Sequence, residues 1–132
     1  MLAVTSYSPD YVRSCEAAVA AQVAAFAALP EGQAKAAFAP GYFSAMVLAL
    51  DSWFLHRQRS NEGKEGGPLN ELRLLCDGIK DNAGVLAAST TIKYKPERSV
   101  TGLAVGQAIV LDAARFEALA DAVFADVRKR YP

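Results

Sequence analysis

Apolar residues at Val12, Cys15, Val19, Val23 and Phe26 recur every three or four positions, with Arg13, Glu16 and Gln22 elsewhere on the wheel. That spacing predicts an amphipathic first helix. Ser8-Pro9-Asp10 marks its start, with Ser8 as cap, Pro9 in the first turn and Asp10 beside the positive end of the dipole. The pattern ends near Leu29-Pro30. Its many alanines let a partner helix approach closely but bury little area each, so larger neighbours must fill the core.

Glu31 to Ala39 predicts a short helix stopped by Pro40-Gly41. Tyr42 to Leu50 is apolar on nearly every side, which predicts a central helix near 41–59 that is buried all round in its first half. It turns polar at Asp51, Ser52, His56, Arg57, Gln58 and Arg59. Residues 60–67 contain no large apolar side chain and are turn-rich, so they read as a loop. Beyond Pro68, Leu69, Leu72, Cys76 and Ile79 form an apolar stripe opposite Asn70, Arg73, Asp77 and Lys80, with Arg73 and Asp77 spaced as an i,i+4 pair. Asn82-Ala83-Gly84 suits the end of that helix.

The period then changes from helical to alternating. Ile92 and Tyr94 face one way and Lys93 and Lys95 the other, Pro96 to Ser99 reads as a turn, and 100–105 and 108–111 supply further short extended segments. Asp112 caps a last helix with the stripe Phe116, Leu119, Ala120, Val123 and Val127, and Arg128, Lys129 and Arg130 suit its C-terminal end. The expected fold is mainly α: one domain over residues 1–132, a bundle of about four helices, and a small antiparallel β hairpin or three-stranded element before the last helix. The alternative class is α+β.

Composition narrows the functional classes. The chain is 52% hydrophobic and 21% charged, which places it among folding globular domains. Its 14 basic and 14 acidic residues cancel, so no overall field draws it to nucleic acid or anionic lipid. A net charge near zero also weakens self-repulsion and favours a homo-oligomer. No apolar run reaches the roughly 20 residues of a membrane span. Cys15 and Cys76 fall on apolar stripes and read as packing thiols, and no basic region precedes an apolar run at the start, so a cytoplasmic protein is expected.

Between Leu50 and Asn82 the chain has no alanine, although it is rich in alanine on either side. Within that stretch His56, Arg57, Arg59, Glu62, Lys64, Asn70, Glu71 and Arg73 are the candidate ligand-binding residues. A glycine-rich loop that opens a helix offers amide hydrogens and the positive end of the dipole, the geometry that holds phosphate or carboxylate. No Gly-Lys-Ser/Thr and no Gly-x-Gly-x-x-Gly is present, so the loop carries no nucleotide motif, and no cofactor is indicated. The competing reading is structural: Arg57, Arg73 and Glu71 lock the loop, and Arg73 neutralises Asp51.

His56 is the chain's one histidine, which rules out multi-histidine zinc sites and leaves no metal assigned. With Asp51, Glu62 or Glu71 it forms the alternative, a small enzyme doing acid–base or metal-assisted chemistry. Lys93, Tyr94, Lys95 and Arg98 combine cations with an aromatic, as a nucleic-acid surface does, yet alternating strands also display lysines simply to guard an edge. The preferred function is a binding or oligomeric interaction module holding a small anionic ligand, or a partner, around residues 56–73.

Overall fold

Ser8 Oγ accepts the amide of Tyr11 at 3.2 Å and Pro9 fills the first helical position, so α1 (Pro9–Ala27) begins at its predicted cap. Its buried residues are the predicted stripe, Val12, Cys15, Val19, Val23 and Phe26. The computed structural model describes residues 3–132. It continues with α2 (Gln33–Trp53), a single turn α3 (Arg59–Glu62), α4 (Pro68–Asp81), a 3-10 turn at Pro96–Arg98, and α5 (Ala113–Arg130).

Pro40-Gly41 does not stop a helix: α2 runs straight through both. The reason is tertiary. Phe26 of α1 meets Phe38, Tyr42 and Phe43 of α2 at ring-centroid distances of 6.4, 5.5 and 4.9 Å. Aromatic pairs contribute about 0.5–1.5 kcal/mol each, comparable in sum to the roughly 3 kcal/mol of an interior proline. Lys35 adds a second tie, donating to the carbonyls of Ala27 and Leu29 at 3.2 Å and so closing the C-terminal end of α1. At its other end α2 stops at Trp53, short of the predicted 59. There the chain turns back through Phe54 and pairs with the N-terminal segment: Val4 donates to His56 O and accepts from Gln58 N, both at 2.8 Å.

α4 and α5 occupy their predicted spans. Asp112 accepts the amide of Arg115 at 2.8 Å and caps α5. α4 ends with Gly84 N on Gly78 O at 2.9 Å, Ala83 sitting between them at φ 55°. α5 packs against α4, α1 and α2, and α2 also meets α1 and α4. The buried apolar side chains form one continuous cluster, with Phe43, Leu50, Phe54, Leu72, Phe116 and Leu119 fully enclosed. No helix of the described residues is long and apolar enough to cross a membrane.

The predicted β hairpin or three-stranded element is absent; among the described residues there is no sheet, only isolated bridges at Val4–Arg57 and Val85–Ala108. The alternating segment spends its backbone groups elsewhere. Ser89 Oγ accepts from Thr91 N and Ile92 N at 3.2 and 3.0 Å, and Lys93 N donates to Lys64 O at 2.8 Å. Val100 N and Thr101 N go to the Glu71 carboxylate. Side-chain acceptors and a neighbouring loop thus outcompete a strand ladder.

Candidate functional site

The turn after α2, the single-turn α3 and the first half of α4 bring several predicted residues into one buried ion-pair cluster. Glu62, 2% exposed, is its centre. Its Oε1 accepts from Arg57 Nε at 2.8 Å and Arg73 Nη2 at 2.7 Å, and its Oε2 accepts from Arg73 Nε at 3.0 Å and Asn70 Nδ2 at 2.7 Å. Arg57 Nη1 adds Asp51 and the Phe54 carbonyl, both at 2.9 Å. Asp51 is therefore neutralised by Arg57, and the predicted Arg73–Asp77 pair gives way to Arg73–Glu62. Burial opposes the charge of Glu62, but the Arg73 hydrogen bond and the charges of Arg57 and Arg73 outweigh it and hold the carboxyl below its usual range. The Glu62 bond in turn raises the affinity of Arg73 for its proton.

Two guanidinium groups against two carboxylates leave the cluster neutral, so its interior has no charge to offer an anion. Arg57 Nη2 is buried without a hydrogen-bond partner among the described residues.

Glu71 belongs to a different construction. Its Oε1 accepts Val100 N at 2.8 Å, and its Oε2 accepts Thr101 N and Thr101 Oγ1 at 2.9 and 2.6 Å. The carboxylate stands where strand neighbours would otherwise satisfy that segment.

The helix N-terminus predicted to attract an anion already holds one from the protein. Asp126 Oδ2 of α5 accepts Leu69 N at 3.2 Å, and its Oδ1 accepts Arg130 Nε at 2.7 Å. Gly66 N goes to Asn70 Oδ1 at 3.0 Å. Asp126 was not among the candidate residues. Its position between Val123 and Val127 on the buried side of α5 was the available signal, since a carboxylate within an apolar stripe needs a partner.

The remaining candidates lie outside the cluster. Lys64 is exposed and contributes its carbonyl to Lys93. His56 is exposed, makes no hydrogen bond or ion pair with a carboxylate, and lines a recess with Tyr7, Tyr11 and Trp53. Arg59 is exposed and shares a cleft of about 420 Å³ with Arg73 and the segment Ala87–Ile92. Arg73 lines this cleft with its Nε and Nη2 both fixed by Glu62. Ser89, Thr90 and Thr91 add hydroxyls to the lining and Asp77 one carboxylate.

The other chemistries have no geometry here. Burial pushes the Cys15 and Cys76 thiols up to about 12, and both remain unpaired. Tyr94 donates its hydroxyl to Leu103 O at 2.5 Å and is half-buried, so its ring is not displayed for stacking. Among the described residues no three histidine, cysteine or acidic side chains converge as metal ligands.

The class defined by this arrangement is a helical bundle with an internally neutralised polar hub and an open polar cleft beside it. No protein-family model matches the chain, and neither a curated protein nor a solved structure shows significant similarity to it.

Proposed function

We propose that the protein is a binding module that takes a small anionic group, a phosphate or carboxylate, in the cleft between Arg59, Arg73 and the Ala87–Ile92 segment. The observation that carries this reading is the state of Arg73. Two of its nitrogens are spent on Glu62, which fixes the plane of the guanidinium, and the side chain lines a cleft that also carries Ser89, Thr90 and Thr91. A guanidinium held by one carboxylate is preorganised for a second acceptor, so less side-chain entropy is lost on binding. The charge of Arg73 is met by Glu62 and that of Arg59 is balanced in count by Asp77, so the cleft offers directed donors and little net charge, which suits a group of low charge.

Thermal unfolding in the presence of phosphate, sulfate, acetate and citrate tests this. An anion at 100 times its Kd stabilises the fold by about 2.7 kcal/mol, a shift of several degrees for a domain of this size. Arg59→Ala, an exposed substitution outside the hub, is expected to abolish the shift without lowering the unliganded midpoint. No stabilisation by any of these anions at high concentration overturns the reading.

Self-association is a second reading. It rests on the outward face of α1, where Ala17, Ala18, Ala21, Ala25 and Ala28 are exposed, and on Phe38, which is 52% exposed on α2. Two free thiols buried in the core are compatible with a reducing, cytoplasmic setting. Light scattering at micromolar concentration tests the assembly: a mass of one chain removes it.

A further inference from the structure

The segment before α1 and the end of α2 border an open recess of about 390 Å³ that lies apart from the Arg59–Arg73 cleft. That volume is within the range of roughly 300–1,000 Å³ of small-molecule pockets. Its wall is aromatic and anchored. Tyr7 stacks on Tyr11 at 5.7 Å, Tyr11 meets Trp53 at 5.4 Å, and Tyr7 stands edge-on to the buried Phe54 at 5.1 Å. Tyr11 donates its hydroxyl to Trp53 O at 2.6 Å, which ties the two sides of the recess together. Tyr7 N donates to Tyr131 O at 3.1 Å, and the two rings meet at 5.6 Å.

The polar groups of the rim select among ligand chemistries. Among the described residues no Asp, Glu, Lys or Arg lines the recess, so none of them gives a carboxylate or an ammonium a counter-charge there. Ser6 and Ser52 give their hydroxyl hydrogens to Pro132 O and Ala49 O, at 2.8 and 2.6 Å, which leaves their oxygens free to accept. Ser8 does the reverse: its oxygen accepts Tyr11 N and its hydrogen is left to donate. The exposed His56 ring, which has no hydrogen-bond partner among the described residues, can do either. Acceptors and donors therefore surround an aromatic wall in which the Trp53 ring is tilted 58° to that of Tyr11. A hydroxyl both accepts and donates, and a ring that carries several of them has an apolar C–H face between its polar edges.

We infer that the Tyr7–Tyr11–Trp53 recess binds a neutral, hydroxyl-bearing ring of saccharide type, laid with its C–H face on the aromatic wall and its hydroxyls on Ser8, Ser52 and His56. The site is independent of the Arg59–Arg73 cleft, so each can fail alone.

Trp53 is the chain's one tryptophan, and its emission reports on this wall directly. The intact protein is titrated with glucose, galactose, maltose and cellobiose, and in parallel with sodium phosphate and tetramethylammonium chloride. The titrations run to roughly 50 mM, well beyond a weak Kd of about 1 mM. A saturable change with at least one saccharide, a weakening of at least fivefold in His56→Ala and Ser52→Ala, and no effect of Arg59→Ala is the expected result. Nitrogen-15 NMR keeps the test open if emission is insensitive, because the Trp53 indole N–H and the His56 ring must both shift. No shift of either signal with any saccharide overturns the inference, as does saturable binding of tetramethylammonium in place of the sugars.

Discussion

Thr101 gives both its backbone amide and its hydroxyl to a single oxygen of Glu71, at 2.9 and 2.6 Å, across 30 residues of sequence. The other Glu71 oxygen holds Val100 N at 2.8 Å, so one buried side chain of α4 organises the irregular segment that precedes α5. Glu71→Ala leaves two backbone donors and a hydroxyl without partners. Hydrogen bonds to charged groups contribute about 1.5–3 kcal/mol each and are not additive, so a loss of roughly 3–5 kcal/mol is expected. Hydrogen exchange checks the mechanism: amides of 99–103 should lose protection while those in the middle of α1 keep theirs. Uniform loss throughout the chain would show that Glu71 acts on the whole fold and not on this segment.

The Glu62 hub makes stability depend on pH in a definite direction. The ordinary carboxyl value is 4.5, and that of Glu62 in the folded protein lies lower because the opposed arginines outweigh its burial. The unfolded chain therefore takes up the proton first as pH falls. Stability from this group is fully present above the unfolded value and is lost as pH drops from about 4.5 through the lower folded value. Glu16 is shifted the same way, chiefly by its hydrogen bond from Arg128, but it lies at the surface. Measurements at roughly 1 M salt, where the Debye length is about 3 Å, screen its share and leave that of the hub. Denaturant melts between pH 3 and 7 should slope downward in acid for the native sequence, and Glu62→Gln should lose that part of the slope. Breaking a buried pair costs about 3–5 kcal/mol, so Glu62→Gln is also expected to be less stable at neutral pH.

Asp126 is expected to matter more than its place on a long helix suggests. It closes the start of α4 through Leu69 N and restrains Arg130, whose Nη1 reaches Asn61 O at 3.4 Å. Asp126→Ala removes a cap and leaves a buried amide unpaired, a loss of about 1–3 kcal/mol. Asp121→Ala, exposed on the same helix, serves as the control and should change stability by no more than about 0.5 kcal/mol. Equal effects of the two would mean that the Leu69 contact contributes nothing.

Local signals carried α1, α4 and α5, because caps and apolar stripes lie within one or two turns of the residues they govern. Pro40 misled because the counterweight to a proline break sits on another helix, at Phe26. The alternation at 90–95 misled because nothing within it shows that Ser89, Lys64 and Glu71 take the backbone groups a strand would use. The stretch 56–73 stood out by its lack of alanine, and its core is a charge cluster. The sequence could not say which acid was central, since Glu62 lies between an asparagine and a glycine and reads as solvated. Tyr7, Tyr11 and Trp53 were invisible as a group because the contacts that join the first two to the end of α2, Tyr7–Phe54 and Tyr11–Trp53, are far apart in sequence.

Two small residues at the end of α4 should respond in opposite senses to the rules for helices. In an exposed helix interior, glycine to alanine stabilises by roughly 0.5–1 kcal/mol. Gly78 is different: a Cβ there would stand 2.7 Å from both Ile109 Cδ1 and the Val85 carbonyl oxygen. The isoleucine can turn, but the carbonyl belongs to the backbone that follows the helix end, so Gly78→Ala is expected to destabilise by about 1–3 kcal/mol through overpacking. Ala83, at φ 55°, occupies the left-handed position between Gly78 O and Gly84 N that a glycine would fill without strain. Ala83→Gly relieves that strain and gives up some unfolded-state entropy, for a net gain of about 0.5–1 kcal/mol. Urea melts of the two variants read both signs at once. Stabilisation by Gly78→Ala would mean that the loop after α4 yields freely, and the close approach of Val85 to the helix would then have no role in setting its end.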